Sequence, residues 1–214
     1  MLFDFETLAA ADRYKLLTST IVPRPIAWVV SQDLNGVLNA APFSFFNVFA
    51  NDPPVVVIGI GGRRPGDAKD TGNNIGTTGQ FVVNLVGEAN ARQMNITAID
   101  FPPEIDELAE AGLTTVPSTK VKPPRIAESP VAFECERMMG IELGTERMLV
   151  VGRVVAMHVR DDCVLNQERC YIDTPKLELI GRLHGAGWYS RIADRFEMPR
   201  IKVEDWKPGT GANG

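Results

Sequence analysis

Val22-Pro23-Arg24-Pro25-Ile26-Ala27-Trp28-Val29-Val30-Ser31, then Gln32-Asp33-Leu34-Asn35-Gly36, then Val37-Leu38-Asn39-Ala40-Ala41-Pro42 is the stretch whose reading decides the fold class. Each proline pushes the residue before it toward extended geometry, so Val22–Pro25 cannot be helical. It feeds Ile26–Ser31, an apolar, β-branched run centred on Trp28. Asn35-Gly36 is a strong short-range hairpin signal, so Val37–Ala41 reads as the return strand, stopped by Pro42. Outward from this hairpin, Phe43–Asn47 is too irregular in period to assign. Pro53-Pro54 opens a strand over Val55–Ile60, closed by Gly61-Gly62. Further strands are expected over Gln80–Val86, Val131–Met138, Met148–Arg160 and Cys170–Leu177. Helices are expected over Glu88–Ile99 and Glu104–Ala111, the second ended by Gly112. Without regular β-α alternation or an internal repeat, the pattern is mainly β: an antiparallel barrel or sandwich with a few appended helices.

The chain has 214 residues, 44% of them hydrophobic and 23% charged, with a formal net charge of −5. A single domain of this size buries roughly 70% of the surface its unfolded chain exposes, so the core needs no staples. One domain is expected over 1–195, with 196–214 a peripheral tail that is disordered at its end. The acidic balance argues against a nucleic-acid partner, because neutralising phosphates takes clustered Lys and Arg. No apolar run approaches the roughly 18 residues of a membrane span. The first residues carry acids and no basic stretch ahead of an apolar one, unlike a secretion signal. Cys135, Cys163 and Cys170 show no CxxC spacing and read as reduced thiols, which makes the cytoplasm the expected compartment. Only His158 and His184 are present, neither beside a carboxylate or thiol at metal-ligand spacing, so no metal site is expected.

Chemistry must therefore come from elsewhere. Gly59-Ile60-Gly61-Gly62 follows a strand, but Arg64 stands where the third glycine of a dinucleotide fingerprint belongs. No nucleophile elbow, phosphate-binding Walker loop or zincin helix occurs, so an enzyme of this sequence borrows its reactivity from a cofactor. Arg24 and Lys69-Asp70-Thr71 offer cations and a hydroxyl, the ingredients of a phosphate site. Pro42–Asn47 sets a hydroxyl and three aromatics on irregular backbone, against which a planar heterocycle could lie. The plainer reading of these residues stays open: Phe43, Phe45 and Phe46 as core, Arg24 and Lys69 as surface charges. From Gln93 to Thr119 there are five acids and no Lys or Arg, a pattern that reads as a solvated helix face.

Arg24–Val29, Asn39–Asn47, Pro53-Pro54, Lys69-Asp70-Thr71 with Asn74-Ile75, and Gly79–Asn84 together resemble the flavin reductase-like, FMN-binding split-barrel family, particularly its flavoredoxin-like branch. Ile180–His184 and Gly187–Arg191 resemble that family's closing segment, so the likeness runs in order from about Tyr14 to Arg191. The resemblance implies a six-stranded Greek-key split β-barrel, a homodimer, and one FMN per protomer near the subunit interface. It implies that Pro42, Phe43, Ser44, Phe45, Phe46 and Asn47 contact the flavin, and that Lys69, Asp70 and Thr71, with Arg24, hold its phosphate. Trp28 packs beneath the site, Asn74 braces the phosphate loop, and His184 and Tyr189 lie near the flavin, His184 as the catalytic candidate. The implied activity is hydride transfer from NADH or NADPH to FMN, with reduced flavin passed to a partner monooxygenase or electron acceptor. The alternatives are a flavoredoxin-like carrier with tightly bound FMN, or a non-catalytic flavin-binding or sensing module. Gly72 and Gly76 depart from the family pattern. Each costs about 1 kcal/mol in a helix interior, so this turn is expected to order on binding flavin.

Overall fold

The computed structural model describes residues 1–62, 70–102, 104–144 and 147–206. In chain order the elements are α1 (Ala10–Thr20), β1 (Ala27–Gln32), β2 (Leu38–Phe43), β3 (Phe46–Asn51), β4 (Pro54–Gly61), α2 (Asp70–Thr78), β5 (Gln80–Leu85), α3 (Ala91–Ile96), α4 (Glu107–Glu110), β6 (Thr115–Val116), β7 (Arg125–Ile126), β8 (Val131–Glu142), β9 (Arg147–Val159), β10 (Val164–Asn166), β11 (Tyr171–Ile172), β12 (Ile180–Arg182) and β13 (Tyr189–Arg191). Seven strands form one antiparallel sheet in the order β2-β1-β5-β8-β9-β4-β3.

That order forces closure. β2 and β3 lie at opposite edges, about 29 Å apart if the sheet were flat at about 4.8 Å per strand. Only Ser44 and Phe45 separate them in sequence, and that link spans at most about 11 Å. The sheet therefore curls until its edges nearly meet, which is the split barrel. Gly59 N–H donates to the Phe45 carbonyl at 2.7 Å, carrying the β3–β4 ladder into this link. A Cβ on Gly59 would lie 3.0 Å from the Phe45 Cβ, so glycine permits the crossing.

The β1–β2 hairpin forms as expected, with Trp28 opposite Pro42. Its turn differs in type: only Gly36 has positive φ (+92°), and Asp33 Oδ1 accepts from Asn35 N–H and Val37 N–H. Pro42 does not stop the strand. On an edge strand its missing N–H costs no ladder bond, and β2 runs on to Phe43. The Phe46–Asn51 strand was not assigned from sequence, and the main sheet has seven strands where the resemblance implied six. Cys170–Leu177 is not one strand: only Tyr171–Ile172 pairs, after which a 3₁₀ turn begins at Pro175. The Glu88–Ile99 helix divides into a 3₁₀ turn and α3, and Glu104–Ala111 shortens to α4.

Alternation along β1 puts Ala27 and Val29 into the barrel interior with Ile58, Phe81, Cys135 and Val150. Trp28 and Val30 face the other way, into a second core with Met94 and Leu108 under α3 and α4. α2 is continuous through both glycines and sends Ile75 into the barrel core. Packing, rather than propensity, holds this helix: Gly72 is buried, with room for a Cβ only 3.2 Å from the Met148 sulfur. Gly76 is exposed, has ordinary helical backbone, and has nothing within 4 Å of its Cβ position. Gly76→Ala is therefore expected to stabilise the fold by about 0.5–1 kcal/mol, read as a rise in the urea midpoint.

Candidate functional site

Pro42, Phe43 and Ser44, where β2 runs into the barrel seam, form the shared wall of several clefts. One, of about 270 Å³, lies between them, Met94 and Asn95 of α3, and Arg182, Ala186 and Tyr189 of the closing hairpin. A second, of about 380 Å³, is bounded by Ser44, Phe45, Gly59–Gly62, Arg147 and Met148. A third, of about 40 Å³, adjoins Pro42 on the α2 side and is lined by Asp70, Thr71, Thr97, Asp100 and Glu107. Phe46 and Asn47 turn instead into a broad apolar groove with Leu17, Ile21 and Phe49, which Phe45 lines as well. Phe43 is buried, whereas Phe45 is 45% exposed, so the three aromatics do not share one core role.

Arg24 is buried, and its guanidinium is committed. It donates to the Thr18, Ile21 and Leu183 carbonyls at 2.7, 3.0 and 2.8 Å and to Ser44 Oγ at 3.3 Å. Four of its five N–H groups thus join the C-terminal end of α1, the closing segment and Ser44. Burial lowers the Arg24 pKa; Tyr14 raises it, and neighbouring Arg182 lowers it further.

Trp28 is fully buried and donates from Nε1 to Thr97 Oγ1 at 2.9 Å, fixing a wall of the small cleft. Thr71 is buried in the first turn of α2, its hydroxyl accepting from Asn39 Nδ2 at 2.9 Å. Asn74 donates from Nδ2 to Ser31 Oγ at 3.2 Å, pinning α2 to β1. Lys69 lies outside the described residues. The described lining of the small cleft holds three carboxylates and no cation, so a phosphate at this end of α2 would depend on Lys69 for its charge. His184 is exposed and stacks on Trp188 with ring centroids 6.2 Å apart. It borders none of the three clefts, whereas half-buried Tyr189 lines the 270 Å³ one.

Residues 19–174 match the model of the flavin reductase like domain. The chain belongs to the flavin reductase like family. A protein of Deinococcus radiodurans is 40% identical over 209 residues, covering 96% of this chain and 92% of the relative. Among solved structures, component B of nitrilotriacetate monooxygenase from Bacillus cereus is 34% identical with a TM-score of 0.86, covering 92% of this chain and 98% of its own. The 2-nitrobenzoate 2-nitroreductase of Pseudomonas fluorescens is also 34% identical at a TM-score of 0.86, covering 99% and 100%. Membership of the flavin reductase like family implies flavin binding.

In this flavin reductase like chain two residues of the clefts escaped the sequence reading. Among the described residues Arg182 is the one charged side chain lining the 270 Å³ cleft; the sequence marked its segment, Ile180–His184, but gave Arg182 itself no role. Glu107, one of the acids in the expected solvated face, is instead buried, with Oε2 accepting from Ala40 N–H at 3.0 Å. Burial raises its pKa above the usual carboxylate range; the Ala40 N–H pulls it back, while Asp70 and Asp106 push it up. No signal local to residue 107 could reveal a partner 67 positions away.

Proposed function

We propose that this chain binds FMN against Pro42–Ser44 and acts as an NAD(P)H:FMN oxidoreductase, the reduced flavin serving a partner monooxygenase or electron acceptor. The observation that supports it is the convergence of the clefts on Pro42–Ser44, between α2 on one side and the closing hairpin on the other. The residues present fit such a group. Tyr14, Phe43 and Phe45 give flat apolar walls, Ser44 and the Gly59–Gly62 backbone give neutral polar contacts, and Arg147 gives positive charge. Clefts of this size and mixed lining suit a planar ligand with a few polar contacts. When bound, FMN would supply the capacity to accept a hydride.

The chain's own part is positioning. Ser44 presents its hydroxyl from an oxygen held by Arg24. Thr71 accepts from Asn39, and its own O–H, without an acceptor among the described residues, is proposed to donate to a phosphate. Backbone N–H groups near Ser44 stabilise charge that develops on the ring edge. His184 and Tyr189 are proposed to contact the flavin or the nicotinamide, and Lys69 with Thr71 to hold the phosphate. The 34% identity to a monooxygenase component supports the proposed partner class. A homodimer is also proposed, the second copy covering the apolar groove of about 620 Å³ that Ser44 and Phe45 share with the clefts. Light scattering of the purified chain reads that directly.

The test is to purify the protein without added flavin, record its visible spectrum, then add NADH and NADPH in turn without oxygen. Bleaching of bound flavin by either nucleotide supports the reductase and names its donor. Bound flavin that neither bleaches points to a carrier or sensing module. Failure to bind added FMN overturns the assignment. Lys69→Ala is expected to weaken FMN by about 1.5–3 kcal/mol, the worth of a charge-assisted contact. An unchanged dissociation constant would refute the phosphate role.

A further inference from the structure

We propose that the cleft between Pro42–Ser44 and the β12–β13 hairpin is a receptor for a small planar carboxylate, with Arg182 as its anion-binding side chain. This rests on the flavin reading only in making that carboxylate the second substrate of the same site.

Arg182 is preorganised. Its backbone exchanges hydrogen bonds with Arg24, N to O at 2.8 and 2.9 Å. Its guanidinium lies over the Tyr189 ring, 4.7 Å from the centroid, and one Nη2–H donates to the Gly185 carbonyl at 2.9 Å. The remaining N–H groups have no partner among the described residues. A planar fork held over a ring, with N–H groups that have no partner among the described residues, suits bidentate binding of a carboxylate.

The charge is also uncompensated. Neither Arg182 nor Arg24 forms an ion pair among the described residues, and the described lining of the cleft contains no carboxylate. An uncompensated Arg182 guanidinium, with the buried Arg24 charge near enough to feel it, makes the cleft receptive to an anion. The rest of the lining decides which anion. Ile26, Phe43, Met94, Ala98 and Tyr189 are apolar and would gain nothing from inorganic phosphate. A ligand with one carboxylate on a flat apolar body satisfies Arg182 and these walls together.

The probe is benzoate, titrated calorimetrically into the protein with and without FMN, beside benzamide and inorganic phosphate; FMN affinity is measured on every variant. Benzoate is expected to bind at least tenfold more tightly than benzamide. Arg182→Gln should weaken benzoate at least tenfold, and Arg182→Lys should restore only part of it, since an ammonium lacks the fork. Ala186→Trp, at an exposed loop position on the cleft, should block benzoate while leaving the charge in place. Equal benzoate affinity in the Gln variant, or Arg182-dependent binding of phosphate without benzoate, overturns the proposal. Benzoate binding that depends on Arg182 in a protein that takes no FMN upholds it while the flavin reading fails.

Discussion

Replacing Arg24 with methionine is expected to lower the unfolding free energy by about 3–5 kcal/mol, a large share of the roughly 5–15 kcal/mol of an ordinary domain. The Thr18, Ile21 and Leu183 carbonyls each take a guanidinium N–H in the native chain. Methionine fills the volume but leaves those acceptors without a donor, each at a cost of about 1–3 kcal/mol. Partial relaxation of α1 toward water recovers some of that. Thermal or urea unfolding measures the loss, about 2–4 °C of melting temperature per kcal/mol for a chain of this length. Flavin binding should weaken as well, because Ser44 and the closing segment both lose their anchor. Arg24→Lys separates the two roles. A phosphate ligand would tolerate lysine, whereas one ammonium cannot reach three carbonyls and a hydroxyl in fork geometry. The lysine variant is therefore expected to be nearly as destabilised as the methionine one. A methionine variant of unchanged stability that no longer binds FMN would return Arg24 to the phosphate.

The distance over which Arg24 acts explains what the sequence could and could not reveal. Its carbonyl partner in the closing segment is 159 residues away, and no local pattern carries such a pairing. Where the signal was local, it sufficed. Two prolines, a β-branched run and Asn35-Gly36 defined the first hairpin; β4, β5 and β9 fell within a residue of their expected bounds, and β8 began at Val131 as expected but ran four residues past Met138. β3 escaped because its residues are mostly exposed along both faces, so the inside-outside alternation that marks a strand is missing. The closing hairpin escaped for another reason: three paired residues on each side are too few to show a period. Its importance lies in tertiary placement, beside Arg24 and over α3, which only the fold supplies. For the candidate site, the Pro42–Ser44 segment was legible through its composition and its resemblance to a family. The residue that gives its cleft a charge was not.

Glu134 carries the second large expectation, and it concerns acid. The segment 117–130 holds four prolines and pairs with β6 at Arg125–Ile126 but not at 119–121, so the 119–121 backbone needs another acceptor. Glu134, fully buried on β8, supplies it. Oε1 accepts from Thr119 N–H at 2.7 Å and meets His158 Nε2, while Oε2 accepts from Lys120 N–H and, at 3.3 Å, from Val121 N–H. Burial by itself raises this pKa, but the Thr119 N–H, the His158 ring and the Lys120 N–H outweigh it and hold the carboxyl below its ordinary 4.5. A group depressed in the folded state stabilises the fold fully above its unfolded pKa and loses that contribution as pH falls through the folded one. Wild-type stability should therefore decline on the acid side of about pH 4.5 as Glu134 takes up its proton. Glu134→Gln replaces one acceptor oxygen with an amide that itself donates, setting it against an N–H. It is expected to cost about 2–4 kcal/mol at neutral pH. Because the variant cannot titrate at that position, its stability should also fall less steeply than the wild type's below pH 4.5. Unfolding curves from pH 3 to pH 7 on both proteins read the two effects together. Parallel acid limbs, with a neutral-pH loss under about 1 kcal/mol, would mean that the loop is held by its apolar contacts and not by the carboxylate.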